Sequence, residues 1–294
     1  MRTTQRRKIE PARVIIGAVL LLVGLICLLP LIHIVAMSMS SSTAISTDTI
    51  LLWPKDFTLA AYKYSLSGGG FVNALLVSVE RTILSCTLTL LLNVLAAYPL
   101  SRSKEEFPAR TFYSWMYVIT MFVSGGLVPT YMVIYETGLM NTIWALVLPG
   151  CASAFNALLI LNFFRSLPKE LGEAAAIDGA GHWRTLFSIY VPLSVTILAT
   201  TTLFNFVGAW NAWFDGMIYM NDSANYPLQT YLQSLVVDTN TYFLYSGSIE
   251  NIEMLNDSNI KAAQVVLTSI PIIALYPFLQ KYFTKGITVG SVKG

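Results

Sequence analysis

The residues with the most chemistry to offer lie between 166 and 194, where the chain reads SLPKELGEAAAIDGAGHWRTLFSIYVPLS. Three carboxylates, Glu170, Glu173 and Asp178, sit there among alanines and glycines. Pro168 ends one helix and stands just ahead of another, since proline is at home in a first helical turn. Residues 169–177 are strong helix formers, with Glu170 and Glu173 in the first turns, where carboxylates meet the positive helix end. Asp178-Gly179 is a break able to cap a second short helix. In that second helix Trp183, Leu186, Phe187 and Tyr190 fall at i, i+3, i+4 and i+7, one apolar stripe. Helix, glycine hinge and amphipathic helix together make a rigid knob suited to a groove on a soluble partner. The competing reading is an amphipathic element lying on lipid headgroups. That element would carry Lys and Arg on its polar face, whereas these acidic residues would be repelled by anionic lipid. Docking is the favoured chemistry.

Other reactive groups are sparse. Cys27, Cys86 and Cys151 each lie in an apolar run without CxxC spacing or a nearby histidine, and read as small buried hydrophobes. With two histidines, no HExxH and no GxSxG, an intramembrane enzyme has little to work with. GAGHWRT and GITVGSVKG contain glycines but lack the GxxxxGK[ST] spacing of a phosphate-binding loop. Glu80 and Arg81 are adjacent and cannot face one another on a helix. They are expected near an outer surface, pairing elsewhere or snorkelling. His33 is expected to be a satisfied polar residue near a span end.

The elements that must hold the loop are hydrophobic helices. Of the 294 residues 55% are hydrophobic and 12% charged, about half the charged share of soluble domains, and the mean hydropathy is +0.61. A soluble domain could not hide that much apolar surface. Windows of about 20 apolar residues predict six spans, near 14–38, 72–99, 111–134, 141–164, 190–214 and 260–283. The third is interrupted by Ser124, Gly125, Gly126 and Pro129, breaks tolerated where a neighbour or a cavity satisfies the backbone. The first run, behind Arg2, Arg6, Arg7 and Lys8, is too long for a signal peptide core and reads as a retained span. Segments 1–13, 100–110, 165–189 and 281–294 hold 14 of the 18 Lys and Arg, which places both termini in the cytoplasm. The expected organisation is a cytoplasmic N-terminus (1–13), a membrane domain (14–283) and a C-terminal tail (284–294). A cytoplasmic loop at about 166–189 and a long polar outer loop at about 215–259 interrupt the membrane domain. The net charge of +2 does not suggest a nucleic-acid partner.

EAAAIDGAG followed by Phe187, Ile189 and Pro192 resembles the EAA motif of ABC importer permeases, and the surroundings resemble the maltose-type, carbohydrate-uptake subunits. The similarity continues through Gly138-Leu139, Asn141-Thr142, Leu148-Pro149, Asn156 and Phe163-Phe164 before Leu167-Pro168. Trp210-Asn211, Pro227-Leu228-Gln229 and the ending YPFLQKYFTKGITVGSVKG extend it to the C-terminus. The resemblance implies an all-α, type I importer permease in the bacterial inner membrane, with no enzymatic activity. It implies a second homologous permease, two cytoplasmic ABC ATPases that bind the ATP and magnesium, and an extracytoplasmic solute-binding protein. Carried onto this chain, Glu173 is the acidic contact to the ATPase and Gly179 the hinge. Ala174 and Ala175 allow close packing, and Asp178 caps the turn.

The substrate implied is a sugar, and FVSGGLVPTYMVIYETGLMNT resembles permeases for complex oligosaccharides. Sugars call for amides and aromatic rings, which makes Asn93, Asn205, Trp210, Asn211 and Trp213 candidates for the path, with Tyr131, Tyr135 and Asp215 nearby. Trp210 and Trp213 serve equally well in an interfacial aromatic belt, and Asn205 and Asn211 in interhelical hydrogen bonds. The alternatives are an ABC permease for another small solute and an ion-coupled secondary transporter. The latter lacks central ionisable sites and broken inverted repeats.

Overall fold

The computed structural model describes residues 11–47, 50–237 and 257–291. The basic N-terminal residues 2–8, the stretch 238–256 of the expected outer loop, and Lys293 lie outside them. Every regular element among the described residues is helical. The helices are α1 (Pro11–Ser38), α2 (Ser42–Thr47), α3 (Ala60–Ser67), α4 (Gly69–Ser101), α5 (Arg110–Phe122), α6 (Leu127–Glu136), α7 (Ile143–Val147) and α8 (Ala154–Ser166). There follow α9 (Glu170–Ile177), α10 (His182–Thr185), α11 (Val191–Leu193), α12 (Val195–Asn211), α13 (Phe214–Tyr219), α14 (Leu228–Val237) and α15 (Asp257–Ser291). The chain separates into two compact units, residues 1–69 with 243–269, and residues 70–242 with 270–294.

In the first unit α1 is apolar on every side, and from Val14 through Leu31 each residue is exposed. A helix that is hydrophobic all round belongs in lipid or against another apolar partner. Cys27, expected to be buried, is exposed there with the rest of the helix. His33 is satisfied as expected: its Nδ1 lies 2.9 Å from the Leu51 carbonyl oxygen. Beyond α1 the unit packs through small residues, with Ala36, Ser38, Ser40, Ala61 and Ala263 all buried. Asn259 Nδ2 donates to the Ser40 carbonyl at 3.3 Å.

The second unit is built round α4. Its buried stripe runs Phe71, Ala74, Ser78, Arg81, Ser85, Thr89, Asn93 and Ala97, and its exposed side carries Leu76, Val79, Ile83 and Leu91. Polar inside and apolar outside is the reverse of a soluble helix, and it is the arrangement that hydrocarbon surroundings demand. One apolar cluster joins Val94, Ala97 and Tyr98 of α4 to Ile160 and Phe164 of α8, Leu186, Tyr190 and Leu198.

Among the described residues two helices, Val14–Ser38 and Gly69–Ser101, are long and apolar enough to cross a membrane unbroken. Three further expected spans are bent pairs: α5 with α6 by 113°, α7 with α8 by 46°, and α10–α11 with α12 by 81°. The first break falls at Ser124-Gly125-Gly126, where Gly126 takes φ +80. The second follows Pro149 and restarts where Ser153 Oγ accepts the Asn156 N–H at 3.3 Å. The third follows Pro192, at Ser194. α15 carries Pro271 and Pro277 within its length.

A second cluster sets Ile134, Ala145 and Leu146 against Tyr219 and Met220. Beside it Asn141, at φ +58, pins the start of the expected outer loop. Its Oδ1 accepts from the backbone N–H groups of Asn221 (3.1 Å) and Asp222 (3.2 Å) and from Asn225 Nδ2 (3.1 Å). Asparagine tolerates the left-handed region that most side chains avoid. Replacing Asn141 by glycine is expected to cost the side-chain acceptor alone, about 1–3 kcal/mol. Replacement by alanine adds about 1 kcal/mol of backbone strain. Thermal melting in detergent should therefore rank wild type, Asn141→Gly and Asn141→Ala in falling order.

Candidate coupling loop and polar cavity

α8 ends at Ser166, and Leu167 turns extended ahead of Pro168, as a residue before proline prefers. α9 then presents Glu170, Glu173, Ala174 and Ile177 to the outside, with Ile177 86% exposed. Ala175 turns inward and is buried, and Leu171 and Gly172 are half-buried beside it. Gly179 takes φ +73. Its N–H donates to the Ala176 carbonyl at 3.1 Å, and the Ala180 N–H to that of Ala175 at 2.9 Å. This pair of bonds is the Schellman closure, which calls for glycine at that position. Asp178, expected to cap the second helix, closes the first one through its backbone N–H; the residue opening α10 is Gly181.

The expected apolar stripe is split. Leu186–Tyr190 form a π-helical turn, whose extra residue shifts the register. Leu186 and Tyr190 go into the core, while Trp183 and Phe187 stay exposed and stack with ring centroids 6.1 Å apart.

What roots the knob is Arg102, which the motif does not include. Its guanidinium carbon lies 4.3 Å from the Tyr98 ring centroid and 4.7 Å from that of Tyr190. Cation–π contacts of this kind contribute about 0.5–2 kcal/mol each, according to desolvation. Arg102 also donates to the Tyr98 hydroxyl. A Cβ on Gly172 would come within 3.0 Å of Arg102 Nη1, so α9 rests directly on this side chain. Arg165 Nη2 donates to the Leu100 carbonyl at 2.9 Å, a second tie between the α8 end and the α4 end. A cavity of about 350 Å³ lies beside the clamp, walled by Leu95, Tyr98, Phe107, His182 and Trp183 among others. On the adjoining turn Glu105 is held below the ordinary carboxylate range by hydrogen bonds from its own backbone N–H and from Ser103, with Arg110 and Lys169 adding to this. A Tyr-x-x-x-Arg spacing at the end of a long apolar helix was the available signal, but nothing local named Tyr190 as the second ring.

The five path candidates separate. Asn205 Nδ2 donates to Ser85 Oγ at 3.3 Å. It lines a cavity of about 470 Å³ with Arg81, Asn156, Asp215 and Tyr219. Asn93 is buried on a narrow crevice that also reaches Asn156 and Asn205. Trp210 is buried and stacks on Phe206 at 5.9 Å. Asn211 turns back to the Val207 carbonyl of its own helix at 2.9 Å, and Trp213 faces outward.

Arg81, expected to pair elsewhere or to snorkel, does the former and is 4% exposed inside the bundle. Its Nη1 donates to the Ala212 carbonyl and to Asp215 Oδ1, each at 3.2 Å, and its Nη2 donates to Asp215 Oδ2. Glu80 points the other way and is exposed. The signal for Arg81 was its place on the Ser78–Ser85–Thr89–Asn93 stripe, which requires a partner for any charge it buries.

Similarity to known proteins agrees with this architecture. The family described as binding-protein-dependent transport system inner membrane component matches residues 90–289. Protein LplC of Bacillus subtilis (strain 168) is 38% identical over 272 residues, covering 92% of this chain and 91% of its own length. From the same organism, the polygalacturonan/rhamnogalacturonan transport system permease protein YtcP is 37% identical over 275 residues, covering 94% of this chain and 96% of its own. A chain in the crystal structure of a bacterial ABC transporter involved in the import of the acidic polysaccharide alginate superposes with a TM-score of 0.85. The two are 28% identical, over 96% of this chain and all of that one. The chain belongs to the binding-protein-dependent transport system inner membrane components, the permease family of ABC importers, and is a transport component and not an enzyme.

Proposed function

We propose that this chain is the permease subunit of an ATP-driven importer for an oligosaccharide, forming half of the translocation path beside a second, homologous permease. An extracytoplasmic solute-binding protein delivers the sugar. A separate pair of cytoplasmic ABC ATPases binds ATP with its magnesium and hydrolyses it. Six spans cross the inner membrane: α1, α4, the three bent pairs and α15. Both termini are cytoplasmic, a reading supported by the 14 of 18 basic residues that fall on that side. The relatives named for polygalacturonan/rhamnogalacturonan and alginate transport support an oligosaccharide cargo.

The observation that carries this reading is the exposed acidic knob, α9–Gly179–α10, seated on the Arg102 clamp. Its exposed carboxylates and Ile177 suit a groove on a partner protein better than an anionic lipid surface. Glu173 is the acidic contact to the ATPase, with Ala174 and Ala175 admitting close packing. Asp178 and Gly179 form the turn that lets the two short helices move as one body. When ATP closes the ATPase dimer, the knob is displaced and the membrane helices pass from inward-open to outward-open. Arg102 is a positioning residue, transmitting that displacement to α4.

The test is the complete importer in proteoliposomes, with sugar uptake and ATP hydrolysis measured together. Proline at 179 cannot adopt φ +73. Gly179→Pro and Glu173→Lys are expected to lower uptake by about a hundredfold (roughly 3 kcal/mol of coupling) with membrane insertion unchanged. Retained uptake in the proline variant would overturn the coupling role. Arg102→Ala is expected to raise the ATP hydrolysed per sugar several-fold without loss of assembly. Arg102→Lys should recover little, because an ammonium has neither the planar face that stacks on a ring nor the fork that also reaches the Tyr98 hydroxyl. An unchanged ratio in both variants would reduce Arg102 to a packing residue.

A further inference from the structure

The 470 Å³ cavity has the size of a small-ligand site, and its wall is unusual for the interior of an apolar bundle. It holds a permanently charged guanidinium, a carboxylate and two side-chain amides, with the exposed rings of Phe155 and Phe204 on the same wall. Two of its buried polar atoms have no hydrogen-bond partner: Arg81 Nε, and the Oδ1 of Asn156, a residue 6% exposed. A polar group left unpaired in such surroundings costs about 1–3 kcal/mol and more when charged. A cavity whose wall keeps two of them is prepared for a polar occupant.

The ion pair is uneven. The Arg81 side chain is 4% exposed and that of Asp215 27% exposed. Arg81 cannot be deprotonated, and its rigid fork suits a carboxylate bound through two oxygens. Asp215 is the half that reaches open space, and besides Arg81 its Oδ1 accepts only the Gly216 N–H, at 2.9 Å, among the bonds described. If it swings away, the guanidinium needs another anion of the same geometry, because an uncompensated buried charge is strongly disfavoured. A sugar hydroxyl does not meet that need. The carboxylate of a uronic acid does.

We propose that this cavity is a selective station for acidic oligosaccharides. Arg81 takes a uronate carboxylate in exchange for Asp215, Asn156 and Asn205 bond the ring hydroxyls, and the phenyl rings receive the apolar sugar face. Asp215 is then a resident stand-in for the cargo. It keeps Arg81 paired when no substrate is bound and sets the threshold that a neutral sugar does not cross. The inference rests on the importer reading above and adds the charge class of the cargo and the residues that read it.

The experiment uses the complete importer with its binding protein in proteoliposomes, offered trigalacturonate or galactotriose, and follows uptake and the melting temperature of the detergent-solubilised complex. Wild type is expected to import trigalacturonate. Arg81→Gln should lower that uptake by about tenfold or more, the worth of a hydrogen bond to a charged group, and should remove the rise in melting temperature that trigalacturonate gives wild type. Should Arg81→Gln fail to fold, Asp215→Asn decides. It leaves the guanidinium in place and removes only its competitor, so trigalacturonate should raise the melting temperature more than it does in wild type, and galactotriose should not. Undiminished trigalacturonate uptake in Arg81→Gln, or no added stabilisation by trigalacturonate in Asp215→Asn, would overturn the station and leave the importer intact. Import of galactotriose alone by wild type would overturn the acidic class. Absence of ATP-driven uptake of either sugar would overturn the importer reading, and this inference with it.

Discussion

A helix surrounded by hydrocarbon can place a polar side chain only against another helix or in an enclosed space, and α4 is organised by that requirement. Ser78, Arg81, Thr82, Ser85, Thr89 and Asn93 share one buried stripe, and Leu76, Val79, Ile83 and Leu91 face outward. In water the hydrophobic effect would sort these residues the other way. In lipid the penalty on unpaired polar groups does the sorting. The ion pair with Asp215, the Asn205–Ser85 bond and the polar cavity all sit on that stripe, and none could be relocated to the outer face without stranding a charge or an amide.

The same helix joins the two places where chemistry is concentrated. Arg81 and Arg102 lie 21 residues apart on α4 and its immediate extension, about 30 Å at 1.5 Å per residue. One arginine is held by a carboxylate and the other by two tyrosine faces. The difference has a physical sense. A buried carboxylate partner can be exchanged for a ligand carboxylate, whereas the corner formed by two perpendicular tyrosine rings offers no such exchange and makes a stiff joint. In the proposed function, α4 is the rod between a stiff joint at the coupling loop and an exchangeable contact at the cavity.

Interruption of the expected spans is the second theme. Glycine at 126, Pro149-Gly150 and Pro192 each stop a helix that hydropathy alone would run straight through. At the first two breaks a serine hydroxyl closes a backbone bond, Gly126 N–H to Ser124 Oγ at 3.2 Å and Asn156 N–H to Ser153 Oγ at 3.3 Å. Breaks satisfied in this way let a bundle bend around a cavity without exposing bare backbone to lipid. The π-turn at Leu186–Tyr190 belongs to the same class: one extra residue rotates Tyr190 into the clamp and leaves Trp183 and Phe187 outside.

Much of this was legible from the chain alone. Composition and hydropathy windows specify apolar helices, since the length of an apolar run reflects the thickness it must cross. Glycine and proline mark the breaks because they act on φ and on one N–H, which are local properties. The knob at 166–190 could be read for the same reason: Pro168, the glutamates and Gly179 each act within a few residues. Only the tertiary structure decided that Arg81 meets Asp215, 134 residues away, that Tyr190 forms the second face of the Arg102 clamp, and that Asn205 lines the cavity while Asn211 and Trp213 do not. Side-chain pairing across helices depends on how the helices are rotated and tilted against one another. No periodicity within a single segment carries that information, so the elements were readable in the sequence and their meeting points were not.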